Sequence, residues 1–379
     1  MAKARFVYTI LILCAFALLA RQALAEGMDW ENYWQAGKQL LQDGQYQQSM
    51  VLMKKGADEI DTAGETEKPS GVIQSIIYMD LAEATLLVEQ YELAEDYMTI
   101  SLQKMEQTRE GGHPDVARCL SRLAQVYAKQ GRYTEAEDLY DRAINIAADA
   151  FGTEYYVTAG YRNQLGHVYA AQGKYVESAW EYQKALAIVH FPGASEITAY
   201  IDAISALSLL YYKTESPDKI DDLFQQAIDT VKRTRGKEHP DMAVLLAAEA
   251  DTYADTGDVD AADQLLQQAI AIHENALGPT DSGLARYWVQ LIKLCLRSHR
   301  LSQAYAYAKQ TFTIMPRNDN VQYAELLFLQ ATIQFQQDQL LDAGENARKS
   351  KELYVNIFGE THSTVVLVDD LIASINGKQ

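Results

Sequence analysis

Four tyrosines set the ruler for this chain. Tyr127, Tyr169, Tyr211 and Tyr253 are each 42 residues apart, and each lies near the end of an apolar-periodic stretch. Two of them open near-copies of one phrase, Tyr127-Ala-Lys-Gln-Gly-Arg-Tyr133 and Tyr169-Ala-Ala-Gln-Gly-Lys-Tyr175. Tandem units of this length bury their apolar faces only by stacking on their neighbours, so the period predicts a solenoid. A stack of this kind presents a long surface and rarely a reaction centre.

Each unit reads as two amphipathic helices. In the clearest copy a first helix is expected over about 115–129, with Leu120, Leu123, Ala124 and Tyr127 at i, i+3, i+4 and i+7 on one face. Gly131 suits the C′ position that ends it. A second helix is expected to start near Thr134 as N-cap, with Glu137 three residues on in the capping-box arrangement. Ala136, Tyr140, Ala143 and Ile144 form its buried side. The alanines let two helices approach closely, and the tyrosines fill the space between layers.

These positions carry a family resemblance. The run Leu120-x-x-Leu123-Ala124-x-x-Tyr127, Gly131, Tyr133, Ala136, Tyr140, Ala143 resembles the tetratricopeptide-repeat consensus. Units opened by Gly112-His113-Pro114-Asp115 or Glu238-His239-Pro240-Asp241 and closed by Phe151-Gly152 or Leu277-Gly278 look like its longer, kinesin-light-chain type. The resemblance covers roughly residues 29–376 and implies an all-α, right-handed superhelical solenoid of tandem helix-turn-helix repeats. In that register an N-terminal capping pair spans 29–62. Repeats follow at about 69–109, 113–152, 155–193, 197–236, 239–278, 281–317 and 320–359, and a capping helix spans 362–376, all in one continuous stack. The period shortens by three near the end, where Ala304 and Ala343 are 39 apart. The copy at 197–236 is degenerate, with Pro217 at the start of its second helix, an acceptable first position. Residues 61–70 are expected to be a mobile loop.

The first 25 residues read as an export signal. Lys3 and Arg5 precede an uncharged apolar run over 6–20, and Ala23-Leu24-Ala25 supplies the small residues a signal peptidase reads, predicting cleavage before Glu26. The run is shorter than the roughly 20 residues that span a bilayer, so an uncleaved anchor is the weaker reading. Removing 1–25 takes away Lys3, Arg5 and Arg21 and leaves 30 basic against 52 acidic side chains, a net charge of −22. That charge argues against nucleic-acid binding and adsorption on anionic lipid. The destination is periplasmic or extracellular, with no membrane insertion once the signal is gone. Two cysteines remain, Cys119 and Cys295, about four repeats apart and so beyond the roughly 7 Å Cα limit of a bridge. Both are expected to be small core residues.

Phrases of known catalysis are missing. The chain has no Gly-rich phosphate loop ending Gly-Lys-Ser/Thr, no His-Glu-x-x-His, no Cys-x-x-Cys and no Gly-x-Ser-x-Gly. His113 and His239 lie three 42-residue periods apart at the opening turn of a repeat, a structural position rather than a metal pair. Most of the 24 tyrosines fall on core sites of the repeat. The expectation is a protein without enzymatic activity, cofactor or metal.

The resemblance implies where a partner would sit. In this repeat class the first helices line the concave face, through sites two, five, six, nine, twelve and thirteen counted from Ala117. Those sites carry Arg118, Arg122 and Lys129 in one unit and Asn163, Gln164 and His167 in the next. The units at 239–278 and 281–317 contribute Asp251 and Asp255, then Arg286, Lys293 and Arg297. Arg118 and Arg122, one turn apart, present guanidinium forks that match a carboxylate. Family members that hold acidic C-terminal tails use a similar basic pair, but Met79 and Glu83 stand where the rest of that clamp would require lysine and asparagine. The leading expectation is an exported scaffold binding a protein or extended peptide in the groove. One rival is a structural or assembly subunit of an envelope complex, with Trp30 and Trp34 as its exposed apolar patch. The other is a glycan groove using Tyr155, Tyr156 and Tyr212.

Overall fold

The structure, a computed structural model, describes residues 29–64, 66–153, 155–188, 197–214, 216, 218–315 and 320–378. The expected export signal and Pro217 lie outside the described residues. Among those described, all regular structure is helical: 17 α-helices and one 3-10 turn. They fall into two compact units.

The first unit takes in residues up to Thr108 together with Asn356–Gly359. Its helices are α1 (Trp30–Gln42), α2 (Tyr46–Thr62), α3 (Gly71–Leu87) and α4 (Tyr91–Thr108). Asp29 caps α1 by accepting from the Asn32 N–H at 3.0 Å, as an N-cap aspartate should. The core gathers Met50, Met53, Tyr78 and Leu81 with Trp34 packed against them. Trp34, expected on the outside, is half-buried because its indole N–H donates to Asp80 at 2.9 Å. Trp30 is half-buried as well. Asp61, expected in a loop, belongs to α2 and accepts from the Tyr78 hydroxyl at 2.5 Å.

The second unit comprises Arg109–Val355 and Glu360–Gln379. It opens with α5 (Pro114–Lys129), α6 (Tyr133–Phe151), α7 (Tyr156–Ala171), α8 (Tyr175–Ile188), α9 (Ile197–Lys213) and α10 (Asp218–Thr234). It continues through α11 (Pro240–Thr256), α12 (Val259–Leu277), α13 (Ala285–Arg297), α14 (Leu301–Ile314), α15 (Val321–Gln336), α16 (Leu340–Phe358) and α17 (Ser363–Lys378). Odd-numbered helices are the first of each pair and even-numbered ones the second.

Local chemistry explains the boundaries. His113 and His239 are N-caps: each Nδ1 accepts the backbone N–H two residues on, at 3.1 and 3.2 Å, ahead of a proline at the first helical position. His362 does the same for Thr364 at 3.2 Å. Gly131 and Gly173 turn the chain between paired helices at φ 77° and 75°, a left-handed conformation that glycine adopts without penalty. The capping box expected at Thr134 does not form. Helix α6 already begins at Tyr133, with Arg132 at the N-cap and no side-chain cap. The Arg132 guanidinium instead stacks on the Tyr127 ring at 3.9 Å and pairs with Glu135 at 2.6 Å. Glu137 is taken by the Tyr169 hydroxyl at 3.0 Å and Lys174 at 2.9 Å.

One seam of small residues sets the spacing within pairs. Ala94, Ala136, Ser178, Ala262, Ala304 and Ala343 recur at the same register of the second helices, each with no exposed surface. Tyr78, Tyr140 and Tyr182 fill the gaps between layers at 2% exposure or less. Burying side chains of this size is worth roughly 1.5–3 kcal/mol each and dominates the stability of such a stack. Cys119 and Cys295 are free and buried.

Candidate functional site

The face made by successive first helices of the second unit carries all nine candidate binding residues. Its organising feature is a set of polar rungs from each first helix to the next. His167 on α7 and Asp202 on α9 meet at 3.1 Å, and Asn163 donates to the same carboxylate at 2.8 Å. Lys293 on α13 pairs with Glu325 on α15 at 2.7 Å. Arg297 on α13 reaches back to Asp255 on α11 at 2.9 Å, and Gln290 donates to Asp251 at 2.7 Å. Burial pushes the Asp251 carboxyl upward, and the Gln290 hydrogen bond opposes that shift.

The rungs sort the candidates. Asn163 is 2% exposed, so it ties α7 to α9 rather than facing a partner. His167 is held twice, by Asp202 and by the Tyr182 hydroxyl 2.8 Å from its Nδ1. Lys293 and Arg297 remain exposed but each already faces a carboxylate. Gln164, Lys129 and Arg286 are exposed, and Arg286 lies 6.0 Å from the Tyr287 ring centre.

Arg118 and Arg122 on α5 stand in a different setting. Both are exposed. Arg118 pairs with Asp115 of its own helix at 3.2 Å, and Arg122 donates to Gln125 at 3.3 Å. At the repeat site where α9 and α15 carry Asp202 and Glu325, α7 carries Gly160, and nothing lies within 4 Å of where a side chain there would start. On the α7 side of α5 the site held by an acid elsewhere is therefore a glycine. Between α5 and α7 sits Tyr161, its phenol pushed up by burial while Ser121 and the two arginines act the other way. An exposed pair of guanidinium groups one turn apart is suited to gripping a carboxylate in two-pronged fashion.

Of the tyrosines of the glycan reading, Tyr212 is exposed at site twelve of α9, while Tyr155 and Tyr156 sit elsewhere. Tyr155 stacks between Phe151 and Tyr156, with ring centres 4.7 and 4.6 Å away, at the turn from α6 into α7. Sequence reasoning missed the rungs themselves, although both ends of each occupied cavity-facing sites. For His167–Asp202 and Lys293–Glu325 the signal is pairing of site nine with site two of the following unit.

Comparison with known proteins places the fold. The tetratricopeptide-repeat family model matches residues 74–149, 120–190 and 200–275. Among solved structures, the nearly identical kinesin-light-chain TPR-like repeats from Podosopora anserina are 22% identical, covering 56% of this chain and 99% of that one, with a TM-score of 0.45. Aspartyl phosphate phosphatase F from Bacillus subtilis is 12% identical over 75% of this chain and 70% of its own, with a TM-score of 0.50. A tetratricopeptide repeat protein from Parabacteroides merdae is 14% identical over 80% and 99%, with a TM-score of 0.45. These likenesses concern the fold. No curated protein matches the sequence.

Proposed function

The chain belongs to the tetratricopeptide-repeat family, and from that membership we propose that it is an exported, non-enzymatic scaffold holding a protein or extended peptide along its first-helix face. The partner is anchored at α5, where Arg118 and Arg122 accept an acidic side chain or a C-terminal carboxylate. One observation carries this reading. Two exposed guanidinium groups stand one turn apart on α5, and the next first helix carries Gly160 at the site where α9 and α15 carry Asp202 and Glu325, which leaves room beside the pair for a partner's carboxylate. Charge-assisted hydrogen bonds of this kind specify a partner more than they add affinity.

The test is in-cell crosslinking of the tagged, exported protein, with captured partners identified by mass spectrometry. Wild type is compared with an Arg118→Glu/Arg122→Glu variant. A partner captured by wild type and lost from the variant supports the reading. The same partner captured equally by both removes the arginine pair from it, and capture of nothing but the chain itself removes the scaffold role. Export through residues 1–25 is checked by N-terminal sequencing of the secreted or periplasmic fraction, with Glu26 expected as the first residue.

A further inference from the structure

The repeat formed by α9 and α10 breaks the seam that spaces every other pair. Where the others carry alanine or serine, α10 carries Ile220, 4% exposed. A side chain three carbons larger at the closest approach of two helices props them apart, because packed interiors leave no slack for it. On the opened side a trench of about 650 Å³ runs between α8 and α10, floored by Tyr200, Ile204 and Leu207 of α9 and walled by Leu186 of α8. It continues into a second hollow of about 570 Å³ that shares Gln183, Tyr211 and Lys219 with the first. The second hollow reaches Val176 and Trp180 of α8, which are 81% and 57% exposed.

The opposite wall is polar and patterned. Lys219, Asp222, Gln226, Thr230 and Arg233 line it at intervals of three and four residues, one continuous face of α10. Phe224, Ala227 and Val231, on its other side, are fully buried. A cation stands at each end of the wall with an acid between them. Lys219 and Arg233 are 14 positions apart, about four turns or roughly 21 Å at 1.5 Å per residue. Large exposed apolar side chains beside an apolar floor and a polar rim are the anatomy of a protein interface. A floor between two helices, of helical length, has the shape that admits a third helix.

We propose that this trench receives an amphipathic helix of a partner protein, about four turns long. Its apolar stripe lies on α8 and α9, and an acidic residue near each end meets Lys219 and Arg233. The site is separate from Arg118 and Arg122 and does not depend on the first-helix face binding anything.

The experiment uses two fluorescein-labelled helical peptides with the same leucine stripe. One carries glutamates 14 positions apart, and its twin carries lysines there. Fluorescence anisotropy against the purified protein is expected to show saturable binding of the acidic peptide and at least tenfold weaker binding of the twin. Lys219→Glu/Arg233→Glu is expected to reverse that preference. Ile220→Ala, which restores the small seam residue and lets α10 settle on α9, is expected to weaken the acidic peptide about tenfold while circular dichroism shows the helices intact. Equal binding of the two peptides, a preference unmoved by Lys219→Glu/Arg233→Glu, or binding of neither at millimolar concentration would each overturn the proposal. Arg118→Glu/Arg122→Glu is expected to leave the acidic peptide bound; its loss there would place the peptide on the first-helix face and also overturn the trench.

Discussion

The Nε2 of His167 lies 3.1 Å from the carboxylate of Asp202, 35 residues further along the chain. Lys293 and Glu325, 32 residues apart, meet at 2.7 Å in the same repeat register. Both joins run from the ninth site of one first helix to the second site of the next, and the three-residue difference is the amount by which the later period shortens. These two joins therefore share one register of the repeat. Their consequence is local: they tie His167 of α7 and Lys293 of α13 to carboxylates of the following first helix.

Because Lys293 and Glu325 are both partly exposed, the pair contributes modestly, on the order of 0.5 kcal/mol. Lys293→Glu is expected to lower stability by about that amount, and Lys293→Glu/Glu325→Lys to recover most of it. Urea denaturation of the four members of the cycle measures the coupling. At 1 M salt, where the screening length is about 3 Å, the coupling should vanish; a coupling that persists would show that packing, not charge, joins the two helices.

Glu249 is the odd member of a core register. Leu81, Leu123, Leu165, Leu207 and Leu291 occupy the equivalent site in other repeats, but α11 buries a carboxyl there whose Oε2 has no hydrogen-bond partner among the described residues. Burial first, and the nearby Asp221 second, push its pKa up to about 7. A carboxyl with a raised folded pKa leaves stability undiminished below its unfolded value of about 4.3. Stability then falls as the pH rises towards the folded value and is flat above it. Glu249→Leu should abolish that slope and stabilise the protein by about 2 kcal/mol at pH 8, with a smaller gain at pH 4. Melting curves across pH 4–8 decide it. An equal gain at both ends would mean that folding leaves the pKa of this carboxyl unshifted.

Gly166 exists because of Tyr182. A Cβ at Gly166 would stand 2.6 Å from the ring Cε1, and the ring cannot swing away while its hydroxyl is held 2.8 Å from His167 Nδ1. In the preceding repeat Ala124 coexists with a buried Tyr140, but there the ninth site is Gln125 rather than histidine. Gly166→Ala is expected to cost about 2 kcal/mol by overpacking. Adding Tyr182→Leu, the combination that α11 and α12 already use at Ala250 and Leu266, should return part of it. Chemical denaturation of the single and double variants tests this, and failure of the second change to relieve the first would point away from the ring.

What could be read in advance follows from what is local. The helix pairs, the seam from Ala94 to Ala343 and the tyrosine fillers were legible because each depends on spacing within one unit, repeated until the pattern stood clear of noise. The rungs were not read, because two polar residues in adjacent units meet only where the stacking register brings their sites together, nine over two for Lys293 and Glu325 and thirteen beside thirteen for Arg297 and Asp255. The capping box at Thr134 failed because Glu137 had a better use in the next repeat, with Tyr169 and Lys174. Trp34 looked exposed because its partner Asp80 lies 46 residues away. The trench had one visible trace, the isoleucine interrupting a run of alanine and serine, whose meaning appears only when the helices around it are in place.

The histidines at 113, 239 and 362 are spaced by the repeat and share one task, so their chemistry can be tested as a group. Each ring accepts a backbone N–H at its Nδ1 in the first turn of its helix, satisfying one of the four donors a helix start leaves unmet. A side chain with an acceptor at the same reach should substitute. His239→Asn is expected to leave stability within about 0.5 kcal/mol of wild type, and His239→Ala to lower it by about 1 kcal/mol. Hydrogen exchange at the Asp241 amide should accelerate in the alanine variant and stay protected in the asparagine variant. A metal-binding role for His113 and His239 makes the opposite forecast: both variants lose equally, and added zinc raises the melting temperature of wild type alone.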